Sequence, residues 1–422
     1  MAPVDFVAPR YLTRFACIGS ACEENCCSGW RVDVDRPHYE KLKVLMDDSS
    51  ADRARFGAVH IRNEGTAATE NTWAQIKLEP NGSCPMLADD GLCDTQRRFG
   101  HEALSNACAI YPRTANLVGD RAEVTASMSC PEVARQALLQ PDAVELVSIP
   151  AEAYGRQHFV QQISLAPDSA WERHLDDVRL FVHGLLSKRR FPLATRLFFV
   201  TRLCHRAAGF VRTSDESTAM SSLVQAMAEL DAEEALDAWH AHVEPISPPL
   251  TLAARLITQV LKARLEDTPA NSFRKLLVDV LCVYAGVTPE EGTKLDLDPA
   301  TLFEAYRRQR DALLPHQARI DLIFENYCKN HWIRDWYTRS TDLAAHQRRL
   351  LVRVAVLRFL LHGHPRLQGS ADESTIDAAA VEVFYKFSRG VEHAAPFLAR
   401  IAEILDADGP RTLAHDVFLI KL

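Results

Sequence analysis

From about residue 171 onward, apolar residues recur every three to four positions. Trp171 to Arg190 places Leu175, Val178, Val182, Leu185 and Leu186 on one face, which predicts an amphipathic helix. Pro192 stands where a first helical turn accepts proline, ahead of a second helix over 193–211. The same spacing predicts helices over 221–242, 250–266, 272–285, 299–314, 316–337, 343–362, 375–389 and 395–405. Gly286 and Gly363 fall where helix-ending glycines belong. Pro245 and Ser247-Pro248-Pro249 interrupt the series near its middle, and no fixed repeat period exists, so a solenoid is not expected.

Before about residue 150 the pattern is shorter and irregular. Segments 32–34, 73–78 and 122–127 read as brief strands, by alternation or β-branched content, and 36–48 and 96–107 read as helices. Turn signals separate them, Pro80-Asn81-Gly82 and Asp89-Asp90-Gly91. The expected fold is mainly α: a small cysteine-rich α+β N-terminal domain over 1–150, followed by an all-α multi-helix domain over 151–422.

Composition is that of an ordinary globular protein, 47% hydrophobic and 25% charged, with a net charge of −8. Residues 1–150 hold 15 Lys plus Arg against 21 Asp plus Glu, so the basic footprint of a nucleic-acid binder is missing. The acidic balance suits a cationic partner, such as a lysine-bearing protein. The N-terminus lacks a basic segment followed by an apolar run, and no stretch of about 18 apolar residues occurs. A cytoplasmic location without a membrane span is therefore expected.

The cysteines change this picture most. Eight of eleven fall within the first 130 residues: Cys17, Cys22, Cys26, Cys27, Cys84, Cys93, Cys108 and Cys130. Cys204, Cys282 and Cys328 lie singly in apolar helical runs. In a reducing compartment, clustered thiols bind metal more often than they form disulfides. Cys84-Pro85 and Cys130-Pro131 have the Cys-Pro form common in ferredoxin-type runs, which points to an iron–sulfur cluster. Zinc is the alternative metal, although its usual paired C-x2-C units are absent. The C-x3-C-x2-C run of radical enzymes begins at Cys22 and Cys26 but fails at Gly29. No G-x-G-x-x-G motif follows a strand and no Walker A motif occurs. His101, near Cys108, lacks ligand spacing and reads as a surface or packing residue.

The run Phe15-x-Cys17-Ile-Gly-Ser-Ala-Cys22-x3-Cys26-Cys27-x-Gly29-Trp30 resembles the N-terminus of the bacterial flagellin lysine N-methylases. The resemblance continues through Trp73-x2-Ile76-Lys77-Leu78, Cys84-Pro85-x-Leu87 and Gly91-Leu92-Cys93. It closes with Cys108-x2-Tyr111-Pro112-Arg113 and Cys130-Pro131-Glu132, and so covers about residues 11–135. Glu325-Asn326-Tyr327 is also similar to a segment of that family. The resemblance implies methyl transfer from S-adenosylmethionine to flagellin lysines by an enzyme carrying an iron–sulfur cluster, expected as 4Fe-4S. Asp33, Asp35, Glu132, Glu325 and Tyr327 are candidates for a base or amine ligand; the residues alone do not rank them. The competing expectation is a non-enzymatic metal-binding or redox interaction protein with a zinc- or iron-chelating head.

Overall fold

In this computed structural model the described residues are 5–163 except 155 and 157, 174–207, 216–247, 271–288, 298–337, 340, 342–369, 371–392 and 412–421. The chain divides into two compact units, one of residues 1–134 and 146–163, the other of 135–145 and 164–422. The chain is mainly α, with a small α+β part first and an all-helical part after it, as the periodicity predicts.

The first unit contains eight strands among the described residues: β1 (Asp5–Pro9), β2 (Asp33–Val34), β3 (His60–Arg62), β4 (Ala74–Ile76), β5 (Arg113–Val118), β6 (Arg121–Ala126), β7 (Leu146–Ile149) and β8 (Phe159–Ile163). Five make a mixed sheet in the order β7-β1-β6-β5-β8, in which β1 runs parallel to β6 and β5 parallel to β8. The β5–β6 hairpin closes through Gly119-Asp120, with Gly119 at φ +61°, which suits the first position of a two-residue II′ turn. Three form an antiparallel sheet, β2-β4-β3. The helices of this unit are α1 (Tyr11–Arg14), α2 (Arg36–Leu45), α3 (Ser50–Val59), α4 (Asp94–Phe99), α5 (Asn106–Ile110), the start of α6 (Pro131–Leu138) and α7 (Ala151–Tyr154). Asp35 caps α2, accepting from the His38 backbone N–H at 3.3 Å, and Ser49 caps α3, accepting from Asp52 N–H at 3.0 Å.

The single helix expected over 96–107 is two helices, α4 and α5. Gly100 takes φ +80°, a left-handed conformation that ends α4 and turns the chain before Cys108. Strands β1, β3, β5, β7 and β8 and helix α3 are structure that the apolar pattern did not show.

The second unit is built from α8 (Leu175–Leu186), α9 (Leu193–Arg206), α10 (Glu216–Glu229), α11 (Glu233–Val243), α12 (Ser272–Ala285), α13 (Pro299–Ala312), α14 (Gln317–Arg334), α15 (Leu343–His362), α16 (Glu373–Phe387) and α17 (Leu413–Lys421). The expected helices over 250–266 and 395–405 lie outside the described residues. The one helix expected over 221–242 is two, α10 and α11. The chain turns at residues 230–232, burying Leu230 and Leu236 and bringing Trp239 under the Arg202 guanidinium, 3.7 Å from the ring centre. Helix α17, with Asp416, Val417, Leu419 and Ile420 buried, was not anticipated.

Helix α15 is buried on nearly every side and packs on α9, α16 and α17. An all-round apolar helix belongs in a core, yet α15 carries Arg348, Arg353 and Arg358. Each guanidinium is matched: Arg348 donates to the Asp416 carboxylate at 2.7 and 3.0 Å, Arg353 to Asp335 at 2.8 Å, and Arg358 to the Ile420 carbonyl at 2.7 Å. Gly286 ends α12 with φ +67°. Gly363 follows α15 for another reason: its φ is −89°, and a Cβ there would sit 2.5 Å from the Tyr284 ring.

Candidate functional site

Two of the head cysteines, Cys27 and Cys84, pack at the core around β2-β4-β3, and Cys108 lies in α5. Gly29 (φ +78°) and Gly82 (φ +83°) adopt left-handed backbone, and Gly29 N–H donates to the Gly82 carbonyl at 2.9 Å. The Cys84 N–H donates to the Cys27 carbonyl at 2.8 Å, so the adjacent-cysteine turn and the Cys84-Pro85 turn are stitched together. Cys84 is part of the core with Met46, Ala74 and Met86, and Cys27 packs against it. Trp30 donates its indole N–H to the Cys26 carbonyl at 2.8 Å and stacks on Tyr111 at 5.6 Å. Ser105 caps α5, accepting from the Cys108 N–H at 3.4 Å.

Several of the thiols act on one another electrostatically. Cys27 hydrogen-bonds Cys26, and that bond, burial, and the nearby Cys26, Cys93 and Cys84 push its thiol far up. Burial raises Cys84, and raises Cys108 to about 12, with Cys93 and Cys26 adding to both and Cys84 also to Cys108. Cys26, Cys27, Cys84, Cys93 and Cys108 thus lie within electrostatic reach of one another. Cys130, raised to about 11 mainly by burial, instead senses Cys22 and Cys17. Among the described residues no three His, Cys, Asp or Glu side chains are already arranged to hold a metal ion. What fits a thiophilic metal or an iron–sulfur cluster is the donor set: half-buried thiols whose ionisation a bound cation would favour.

The proposed bases are scattered. Asp33 pairs with Arg31 at 2.9 Å. Burial opposes the charge of Asp35, but bonds from the Asn106 N–H and from His38 hold its carboxyl below the usual range. Glu132 is buried in the first turn of α6, and Tyr327 is buried with its ring edge-on to Phe384 at 5.1 Å.

Glu325 is the most constrained of them, fully buried on α14. Its carboxylate accepts from Arg189 at 3.0 Å, from Arg196 at 2.6 Å and from Lys329 at 2.6 Å. Burial works against ionisation, but Arg189, Lys329 and Arg196 outweigh it and hold the carboxyl below its usual range. Glu325 is therefore a poor proton acceptor and a strong organiser of cations. Above it opens a cavity of about 300 Å³ whose walls include Glu145, His183, Ser187, Arg189, Asn326 and Lys329. Burial lowers His183 to about 4, so its ring is neutral at pH 7, with Nε2 3.2 Å from the Lys329 carbonyl. Arg189, Arg196, His183 and Lys329 were not singled out in the sequence. The legible signal was Glu325-x3-Lys329, an i,i+4 pair on a predicted helix.

A family model described as the FliB lysine N-methylase C-terminal domain matches residues 179–419. The Lysine-N-methylase of Salmonella typhimurium strain LT2 is 25% identical over 299 residues, covering 70% of this chain and 70% of that protein. The same figures hold for the Lysine-N-methylase of Salmonella choleraesuis. The flagellar biosynthetic protein FliU of Salmonella muenchen is 31% identical over 147 residues, 35% of this chain and 84% of that protein. No solved structure matches. A cysteine-rich α+β unit on a helical body with this likeness defines a protein-lysine N-methyltransferase. The chain belongs to the FliB lysine N-methylase family. Among the described residues, no helix is long and apolar enough to cross a membrane.

Proposed function

We propose that this chain transfers methyl groups from S-adenosylmethionine to the ε-amines of flagellin lysines in the cytosol, with an iron–sulfur cluster, of the 4Fe-4S type, in its cysteine-rich unit. The carrying observation is the family match over residues 179–419, with the name of the FliU relative adding the flagellar setting. Ligands for the cluster would be drawn from Cys17, Cys22, Cys26, Cys27, Cys84, Cys93, Cys108 and Cys130, four thiolates closing every iron and three leaving one iron open. When bound, such a cluster supplies one-electron chemistry and an iron site open to ligands.

The transfer itself is a displacement. The lysine nitrogen lone pair forms a C–N bond to the sulfonium methyl as the C–S bond breaks, and the electron pair leaves on sulfur as S-adenosylhomocysteine. Lysine at pKa about 10.4 is nearly all protonated at pH 7, so exposing the lone pair costs about 4–5 kcal/mol. The proton has to leave the ammonium before attack, and the rate should therefore climb with pH until the perturbed lysine pKa is passed.

The test is mass spectrometry of flagellin after anaerobic incubation with iron-loaded protein, S-adenosylmethionine and a reductant. Lysine peptides should gain whole methyl increments, and unmodified flagellin from several sources would refute the reading. Iron with acid-labile sulfide is expected in anaerobically purified protein; stoichiometric zinc without sulfide would place zinc in the head instead.

A further inference from the structure

The cavity above Glu325 has walls of a particular charge pattern. Arg189 and Lys329 both donate to Glu325 Oε1, at 3.0 and 2.6 Å, and Arg189 also donates to Oε2 at 3.0 Å and to the Pro141 carbonyl at 3.0 Å. Arg196, by contrast, is taken up by Glu325 Oε2, the Leu186 carbonyl at 2.5 Å and Asp321 at 3.8 Å. Three cations thus share the buried Glu325 carboxylate, two of them, Arg189 and Lys329, on the cavity wall, while the exposed Glu145 also lines the cavity. The Ser187 hydroxyl and the Asn326 amide complete the polar lining. Asn326 is held in place by donating to the Leu138 and Gln140 carbonyls at 3.0 and 2.8 Å.

This arrangement discriminates between ligand charges. A lysine side chain entering here would meet Arg189 and Lys329 and find the buried carboxylate already engaged. A dianionic phosphate would meet the Glu145 carboxylate on the cavity wall. A group bearing one carboxylate and one ammonium satisfies both walls: the carboxylate reaches Lys329 and Arg189 through charge-assisted bonds, and the ammonium faces Glu145. The volume, about 300 Å³, is at the lower end of small-molecule sites.

We propose that this cavity in the helical unit binds a zwitterionic α-amino-acid head group, and that it does so for the methyl donor. The second half rests on the reading under Proposed function; the first half does not. Lys329 is the specificity-determining contact, and Arg189 supports it.

The experiment is calorimetric titration of the full chain with S-adenosylhomocysteine, with 5′-methylthioadenosine, which lacks the amino-acid head, and with L-methionine. The variants are Lys329→Gln, Lys329→Arg and Arg190→Gln, each checked for fold by circular dichroism. Arg190 is the control, since it pairs away from the cavity with Glu233 and with Asp237 at 2.7 Å. Loss of one charge-assisted contact should weaken S-adenosylhomocysteine about tenfold in Lys329→Gln and leave 5′-methylthioadenosine unchanged. Lys329→Arg should restore most of the affinity, and Arg190→Gln should match the native chain. Methionine binding with the same dependence on Lys329 supports the head-group site, and if S-adenosylhomocysteine lacks that dependence, it shows a free amino acid as the source and overturns the donor assignment. Equal weakening of S-adenosylhomocysteine and 5′-methylthioadenosine, or no binding of any probe, overturns the site. Native methyl transfer with an unchanged KM for S-adenosylmethionine in Lys329→Gln overturns the donor assignment and leaves the methylase reading intact. Lys329-dependent binding by a chain that methylates nothing supports the head-group site and counts against that reading alone.

Discussion

Glu325 illustrates how one side chain sets its surroundings. Replacing it with Gln leaves Arg189, Arg196 and Lys329 without their common anion in a buried place. Breaking such a group by removing one partner costs about 3–5 kcal/mol, so Glu325→Gln should lower the unfolding free energy measured in urea by that amount. The pH dependence has a definite sign. The folded carboxyl lies below its unfolded value, so its stabilisation is complete above the unfolded pKa of about 4.3 and is lost as pH falls through the folded pKa. The difference in unfolding free energy between the native chain and Glu325→Gln should therefore shrink on acidification below about pH 4.3. A difference that stays constant to low pH would show that the carboxylate charge is irrelevant. Two glycines give a second contrast at this scale. Gly286→Ala meets only backbone strain at φ +67°, worth about 1–2 kcal/mol. Gly363→Ala has ordinary backbone but a Cβ 2.5 Å from Tyr284 and 2.7 Å from Val280, an overpacking cost of about 1–3 kcal/mol. Shortening Val280 and Tyr284 together should relieve Gly363→Ala and leave Gly286→Ala as unstable as before; equal relief of both would refute the distinction.

Among the elements, α17 depends on a polar clasp as well as on its apolar face. Asp416 is fully buried, accepting from Arg348 on α15 and lying 2.6 Å from His205 Nε2 on α9. Asp416→Ala would leave the Arg348 guanidinium uncompensated, costing about 3–5 kcal/mol. Because the clasp joins α17 to two helices, amide hydrogen exchange over 413–421 should quicken before that of 343–362 does. Uniform acceleration through both helices would mean that α17 has no separate opening. Helix existence was legible in most of this unit because amphipathic spacing is local. The break between α10 and α11 was not, since nothing in residues 230–232 forbids a helix. That turn answers to burial of Leu230 and Leu236. In the head, the expected helix over 96–107 failed at Gly100, whose positive φ is a local signal that the apolar pattern outweighed.

At the scale of the whole molecule, the cysteines separate by environment. Cys204, Cys282 and Cys328 are fully buried in the helical unit, where a thiol behaves as a small hydrophobe. Native maleimide labelling should spare these three, and Cys282→Ala should keep the iron content of anaerobically purified protein, whereas Cys84→Ser and Cys108→Ser should lower it. Iron lost equally from Cys282→Ala would break the assignment of the metal to the head. The sequence by itself determined the mainly α class, the contrast between head and body, and the concentration of thiols, because periodicity and composition are properties of neighbouring residues. Only the tertiary structure decided which thiols influence one another. Cys22 and Cys26 stand four residues apart, yet the charge of the first raises the Cys130 thiol and that of the second raises Cys84 and Cys108. It likewise decided that Phe6 pairs with Ala122 in the mixed sheet and that Arg189 reaches Glu325. Such meetings follow from chain segments far apart in sequence burying one common surface, and no local spacing encodes that.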